Sequence, residues 1–147
     1  MINVTVEIEH DLPGVDKRKS IKILKSTLKK ELISKAKINL IFAKDKLLND
    51  LKIKFFKKNH FTDVIAFRIN DYGNKVIEGE IYISIERAMD NAKKYDQNKS
   101  KELARLIIHG TLHLLNYKDN TKDEKLIMTK LEDKYLNDFD WKNILKL

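Results

Sequence analysis

Two histidines four residues apart, His109 and His113, stand in the run Leu106-Ile-Ile-His109-Gly-Thr-Leu-His113-Leu-Leu-Asn-Tyr-Lys-Asp119. Four residues is about one helical turn, so on a helix both imidazoles lie on one face and can hold a single metal ion. Their neighbours are mostly apolar. An unpaired buried polar group costs about 1–3 kcal/mol, and a metal shared by both rings would remove that cost. Asn116 is the non-glycine residue best suited to a left-handed helix cap, so the chain is expected to reverse there and present Asp119 as a third ligand. The pattern H-x3-H-x5-D thus offers three protein ligands and an open position for water, as catalytic zinc sites do. A bare H-x3-H pair is common. The capped turn, the carboxylate at third-ligand spacing and the apolar setting together point to a metal. His10, beside a turn, and His60, at a loop end, read as surface residues, of which His60 could approach the site. Directly after the first histidine comes Gly110, where metalloproteases of the H-E-x-x-H type carry the glutamate that serves as general base. Peptide hydrolysis by that route is not expected.

The elements that must position these residues follow from periodicity. Asn3–Ile8 alternates with period two and reads as a strand, ended by Asp11-Leu-Pro-Gly14. Apolar residues at Ile21, Leu24, Leu28 and Leu32 between lysines predict an amphipathic helix over about 17–33. A strand over Ile38–Ala43 and a helix over about Asp45–Phe56 come next. Strands over Thr62–Ile69 and Glu80–Ser84 are joined through the turn Asn70-Asp-Tyr-Gly-Asn74. A short helix over Ile85–Tyr95 precedes a longer one over Ser100–Leu115. From Ala104 to Leu115 the apolar residues lie on more than one face, so this helix belongs at the centre of the core. Thr121 and Glu124 have capping-box spacing for a last helix to about Leu136. The expectation is one α+β domain over residues 1–147, with a roughly four-stranded mixed sheet and four to five helices, arranged zincin-like around a central metal-binding helix.

The chain has 147 residues and no cysteine, which excludes a disulfide scaffold, thiolate zinc, an iron–sulfur cluster and a cysteine nucleophile. No apolar run approaches the roughly 18 residues that span a bilayer. The first residues, MINVTVEIEH, lack a basic segment followed by an apolar stretch, so no signal peptide is expected and the cytoplasm is the default. The net charge of +8 suits a polyanionic partner. All but four of the 30 basic residues are lysine, however, so a compositional bias toward lysine, asparagine and isoleucine explains the charge equally well.

The histidine block resembles the signature H-G-x-L-H-L-x-G-Y-D-H of the YbeY family of metal-dependent endoribonucleases, the bacterial rRNA maturation factors. Two further blocks agree in order and spacing. Thr62-Asp-Val-Ile-Ala-Phe67 is similar to the family's T-D-V-L-S-F strand, and Gly79-Glu-Ile-Tyr-Ile-Ser84 to its G-D-I-x-I-S strand. The resemblance implies that His109 and His113 are metal ligands. The family's third ligand is usually histidine, and Asp119 fills that slot here. Carboxylate oxygen is an acceptable zinc ligand. A harder, more negative set would widen tolerance from Zn²⁺ toward Mn²⁺ or Fe²⁺. Asn116 replaces the usual glycine. Phe56 stands where the family places an arginine implicated in activity, which leaves Lys57 and Lys58 as candidates for phosphate stabilisation.

By this resemblance the chain is expected to be a single-strand-specific endoribonuclease in 16S rRNA 3′-end maturation and ribosome quality control. Zn²⁺ on His109, His113 and Asp119 would activate a water by lowering its pKa toward ~7. Thr62, Ser84 and Lys118 are expected to line the cleft, and no residue suggests itself as general base. The partners implied are single-stranded RNA, rRNA and ribosomal subunits, with neither membrane nor DNA. Two rivals stay open at this point: another metallohydrolase on the same framework, and a ribosome-associated assembly factor whose metal is structural. A two-histidine, one-carboxylate set also occurs in non-haem iron oxygenases, though the surrounding motif is unlike theirs.

Overall fold

A computed structural model describes residues 1–57 and 62–146. Strands β1 (Ile2–Ile8), β3 (Ala36–Ala43) and β5 (Ile77–Ser84) pair in parallel, and β4 (Val64–Arg68) adds antiparallel to β5, giving the order β1-β3-β5-β4. This is the expected four-stranded mixed sheet. The central strand β3 is buried along nearly its whole length, whereas the edge strand β1 alternates between buried and open positions.

Helix α1 (Lys17–Lys30) carries the chain from β1 to β3 and buries Ile23, Leu24 and Leu28. Asp16 caps it by accepting from the Lys19 backbone N–H at 3.0 Å, which holds the Asp16 carboxyl below its usual range against the opposing effect of burial. The helix stops short of the Ile33 expected from periodicity. Leu32 enters the left-handed region at φ 64, and the Ile33 N–H reaches back to the Leu28 carbonyl at 2.9 Å in a Schellman turn.

Helix α2 (Asp45–Leu51) also ends early. Residues Lys52–Phe56, expected to continue it, form a π-helical turn with no buried residue. Helices α3 (Ile85–Lys94), α4 (Lys99–Leu114) and α5 (Lys122–Leu136) follow the sheet, and Thr121 and Glu124 form the expected capping box on α5. A short antiparallel pair, β2 (Gly14–Val15) with β6 (Leu145–Lys146), fastens the C-terminal segment beside the start of α1. Two-residue strands have too little period to be read from sequence.

Helix α4 is the centre of the molecule. It packs against α1, α3, α5, β4 and β5, and it buries Leu103, Leu106, Ile107, Ile108, Leu112 and Leu114 on several faces. Its approach to the sheet is close: a Cβ added at Gly110 would lie 2.6 Å from Ile81 Cγ2 and 3.2 Å from Val64 Cγ2. No helix among the described residues is long and apolar enough to cross a membrane.

Candidate metal centre

The C-terminal turn of α4 builds the site. Asn116 takes φ 75 as the left-handed residue, and the Tyr117 N–H returns to the Leu112 carbonyl at 3.1 Å. This is the Schellman closure that Asn116 foretold. It turns the Tyr117 carbonyl back toward the helix, where it accepts from His113 Nδ1 at 2.8 Å. One turn earlier, His109 Nδ1 donates to Glu132 Oε2 of α5 at 2.7 Å.

With both Nδ1 atoms donating, both Nε2 atoms of the neutral rings present lone pairs inward. They lie 2.9 Å apart, and Asp119 Oδ2 sits 3.4 Å from His109 Nε2 and 3.5 Å from His113 Nε2. Ligand atoms at about 2.0–2.1 Å from a tetrahedral ion are separated by roughly 3.4 Å, so the two contacts to Asp119 already have the spacing of a coordination sphere. Three acceptors facing one another repel unless a cation or a proton lies between them. The donor set of two imidazoles and one carboxylate therefore fits a divalent metal. Among the described residues this is the one group of three such ligands that converges.

Burial disfavours the charged form of His109, but the Glu132 hydrogen bond and charge, with Asp119 and Asp63 behind them, carry its pKa above the ordinary imidazole value. His113 goes the other way, pushed down by burial and by the neighbouring His109 despite Asp119.

Glu132 is itself held. It is 6% exposed and accepts from Arg105 Nη1 at 3.2 Å, while the same guanidinium reaches Asp133 at 3.2 Å and Glu102 at 3.5 Å. Burial raises the pKa of Glu102, with Arg105 opposing. On the other side, Glu31 at the end of α1 accepts from Tyr117 Oη at 2.6 Å and from Tyr135 Oη. The Glu31 bond, then burial, pushes the Tyr117 phenol up to about 12. Neither Glu132 nor Glu31 was named from the sequence. The available signal for Glu132 was a carboxylate in the apolar stripe Met128, Glu132, Tyr135, Leu136 of α5.

Two cavities meet at this candidate site and share Asp63, His109 and Asp119. A cleft of about 360 Å³ is lined by Thr62, Lys118, Lys52, Phe56 and Tyr72. A larger cavity of about 730 Å³ runs toward Asn91, Tyr95, Glu102 and Arg105. Asn91 Nδ2 donates to Asp63 Oδ2 at 3.0 Å. Ser84, expected in the cleft, is fully buried elsewhere. It caps α3 by accepting from the Arg87 N–H at 3.1 Å and donates to Asp45, because the strand end it occupies is also a helix start. Lys57, in the left-handed region at φ 54, ends the π-helical turn and does not line the cleft. Lys58 and His60 lie outside the described residues.

A family model described as Endoribonuclease YbeY matches residues 6–140. A protein named Endoribonuclease YbeY from Flavobacterium psychrophilum is 35% identical over 140 residues, which is 95% of this chain and 96% of the relative. Its namesake from Chloroherpeton thalassium is 33% identical over 135 residues, 92% of both chains. Among solved structures, the solution structure of TM1509 from Thermotoga maritima matches with a TM-score of 0.61 at 25% identity, covering 91% of this chain and 87% of that one.

Proposed function

The chain belongs to the YbeY family of endoribonucleases, and from that membership we propose that it cuts single-stranded RNA in 16S rRNA 3′-end maturation and ribosome quality control, in the cytoplasm, with one zinc ion held by His109, His113 and Asp119. The observation that carries the metal part is the convergence of three acceptor atoms on one point, both imidazoles oriented from behind by Glu132 and by the Tyr117 carbonyl.

A divalent ion on these ligands supplies Lewis-acid polarisation of a phosphoryl oxygen and a lowered pKa for water. The chain's own groups do the rest. Glu132 and the Tyr117 carbonyl hold the two rings in the Nδ1–H tautomer, so that Nε2 faces the cleft. Lys52 and Lys118 draw the phosphodiester backbone into the smaller cleft. Asp63 lines both cavities, with Asn91 donating to its Oδ2 at 3.0 Å, and its carboxylate is the group we assign to take the proton of the attacking water. That water's oxygen bonds to phosphorus, the bond to the departing ribose oxygen breaks, and this oxygen is protonated from solvent.

A purely structural metal fits less well. Structural zinc takes four protein ligands, and the described residues offer three beside an open cleft. The test is cleavage of an end-labelled single-stranded RNA by zinc-loaded protein beside identically purified His113→Ala. Cleavage by the parent alone is expected. Equal cleavage by a correctly folded His113→Ala would overturn the assignment of the metal to this helix.

A further inference from the structure

The two sides of the cleft differ in charge and in surface. The larger cavity carries Glu102, Glu132 and Asp133 against Arg105 and Lys125. Both share Asp63 and Asp119, and the smaller one sets Lys52 and Lys118 against these two alone, with His109 and His113 in its wall. A nucleic acid strand has one negative charge per nucleotide, so its backbone enters by the second side.

That side also exposes aromatic surface, with Phe56 42% and Tyr72 53% accessible. Phe56 is braced, not loose: its ring stacks on Phe67 at 5.8 Å between centroids, 20° from parallel. Lys52 Nζ stands 4.7 Å from the Phe56 centroid, and the Arg68 guanidinium carbon 5.1 Å from that of Tyr72. Phe56 is brought here by the π-helical turn, whose five residues are all left unburied. π-turns of this kind are frequent at functional sites. Exposed rings bordered by cations along a groove are how proteins hold unpaired nucleotides, since every base has a face to stack and the backbone tracks the positive charge.

We infer that Phe56 and Tyr72, with Lys52 and Lys118, form a stacking platform for an unpaired base next to the phosphodiester that is cut. The inference rests on the endoribonuclease reading and deepens it: the ligand is a single-stranded RNA nucleotide with its base intact, whatever that base is. A duplex, whose bases are already stacked and paired, cannot offer one without being opened.

The test compares a short fluorescein-labelled single-stranded RNA with an abasic backbone of equal length and charge. Binding is measured by anisotropy on the full chain in chelator, so that RNA is held and not cut. The parent is expected to bind the RNA more tightly than the abasic strand. Phe56→Leu and Tyr72→Leu should each weaken RNA binding by about 5- to 100-fold and leave abasic binding unchanged, and Phe56→Trp should keep it. In zinc-loaded protein the two leucine variants should raise KM more than they lower kcat. Equal parental affinity for both strands, or variants that weaken both strands alike, would overturn the platform, and a surface reserved for a protein partner would give unchanged RNA binding throughout. If the parent cleaves RNA while Phe56→Leu binds it normally, the platform alone fails. If the parent neither binds nor cleaves RNA, the endoribonuclease reading fails with it.

Discussion

Glu132 and His109 are joined at 2.7 Å across the contact between α5 and α4, on the ring nitrogen that faces away from the cleft. A carboxylate in that position fixes the tautomer and raises the basicity of the opposite nitrogen, and removing such a partner typically costs 10–100-fold in metal affinity. Glu132→Gln should therefore bind zinc about 10-fold or more weakly in a chelator-competition titration, with its circular dichroism unchanged. Unaltered affinity would mean that His109 is held by packing alone.

Arg105 ties together three carboxylates, Glu102, Glu132 and Asp133, at 3.2–3.5 Å. Two of them are almost fully buried. Arg105→Met keeps most of the aliphatic contact but strands both buried carboxylates. Charged hydrogen bonds are worth about 1.5–3 kcal/mol each in such settings, so denaturant unfolding of the metal-free variant should show a loss of about 2 kcal/mol or more. A change within 0.5 kcal/mol, roughly the scatter of neutral surface substitutions, would contradict this.

The Tyr117 phenol gives a signature at alkaline pH. Its folded pKa of about 12 lies above the ordinary phenol value of 10.0, so the stabilisation from its bond to Glu31 is complete below pH 10 and is lost as pH rises toward 12. The difference between the ultraviolet pH titrations of the parent and of Tyr117→Phe should show one phenol ionising late. Unfolding free energies of the two proteins should converge across the same window. A difference spectrum centred near pH 10 would mean that Glu31 does not hold this hydroxyl in solution.

Asp63→Asn tests proton transfer. A positioned general base contributes about 10²–10⁴-fold to rate, so kcat on single-stranded RNA should fall by at least 100-fold. Zinc affinity should stay near that of the parent, because Asp63 is not among the three converging ligands. A loss of zinc with the loss of rate would instead place Asp63 in the metal's own support.

The sheet order's ingredients, the central helix and the converging ligands were legible because each rests on short-range regularity. His109 and His113 share a face through spacing alone, and Asn116 announces the turn that swings Asp119 round. What supports these ligands was not legible, since Glu132 and Glu31 act on partners 23 and 86 residues away. Glu132 alone carried a mark, as a carboxylate in the buried stripe of α5. The π-helical turn is hidden for a different reason: one extra residue in a single turn barely disturbs an apolar pattern read over so few positions. Ser84 shows the opposite error. It was expected in the cleft, but the helix that begins there uses its hydroxyl as a cap.

The tight seat of α4 on the sheet also bears on which reactions this scaffold can acquire. The position after His109 is where a zinc peptidase needs its glutamate. Here even a methyl group would press into Ile81 and Val64. Gly110→Glu, a change that looks on paper like a single step from one hydrolase class to another, would have to shift α4 against β4 and β5 and with it His109 and His113. The H-E-x-x-H route to peptidase chemistry is thus obstructed in this chain by the closeness of a helix–sheet interface. Any route to it would have to begin by remodelling the floor beneath the helix.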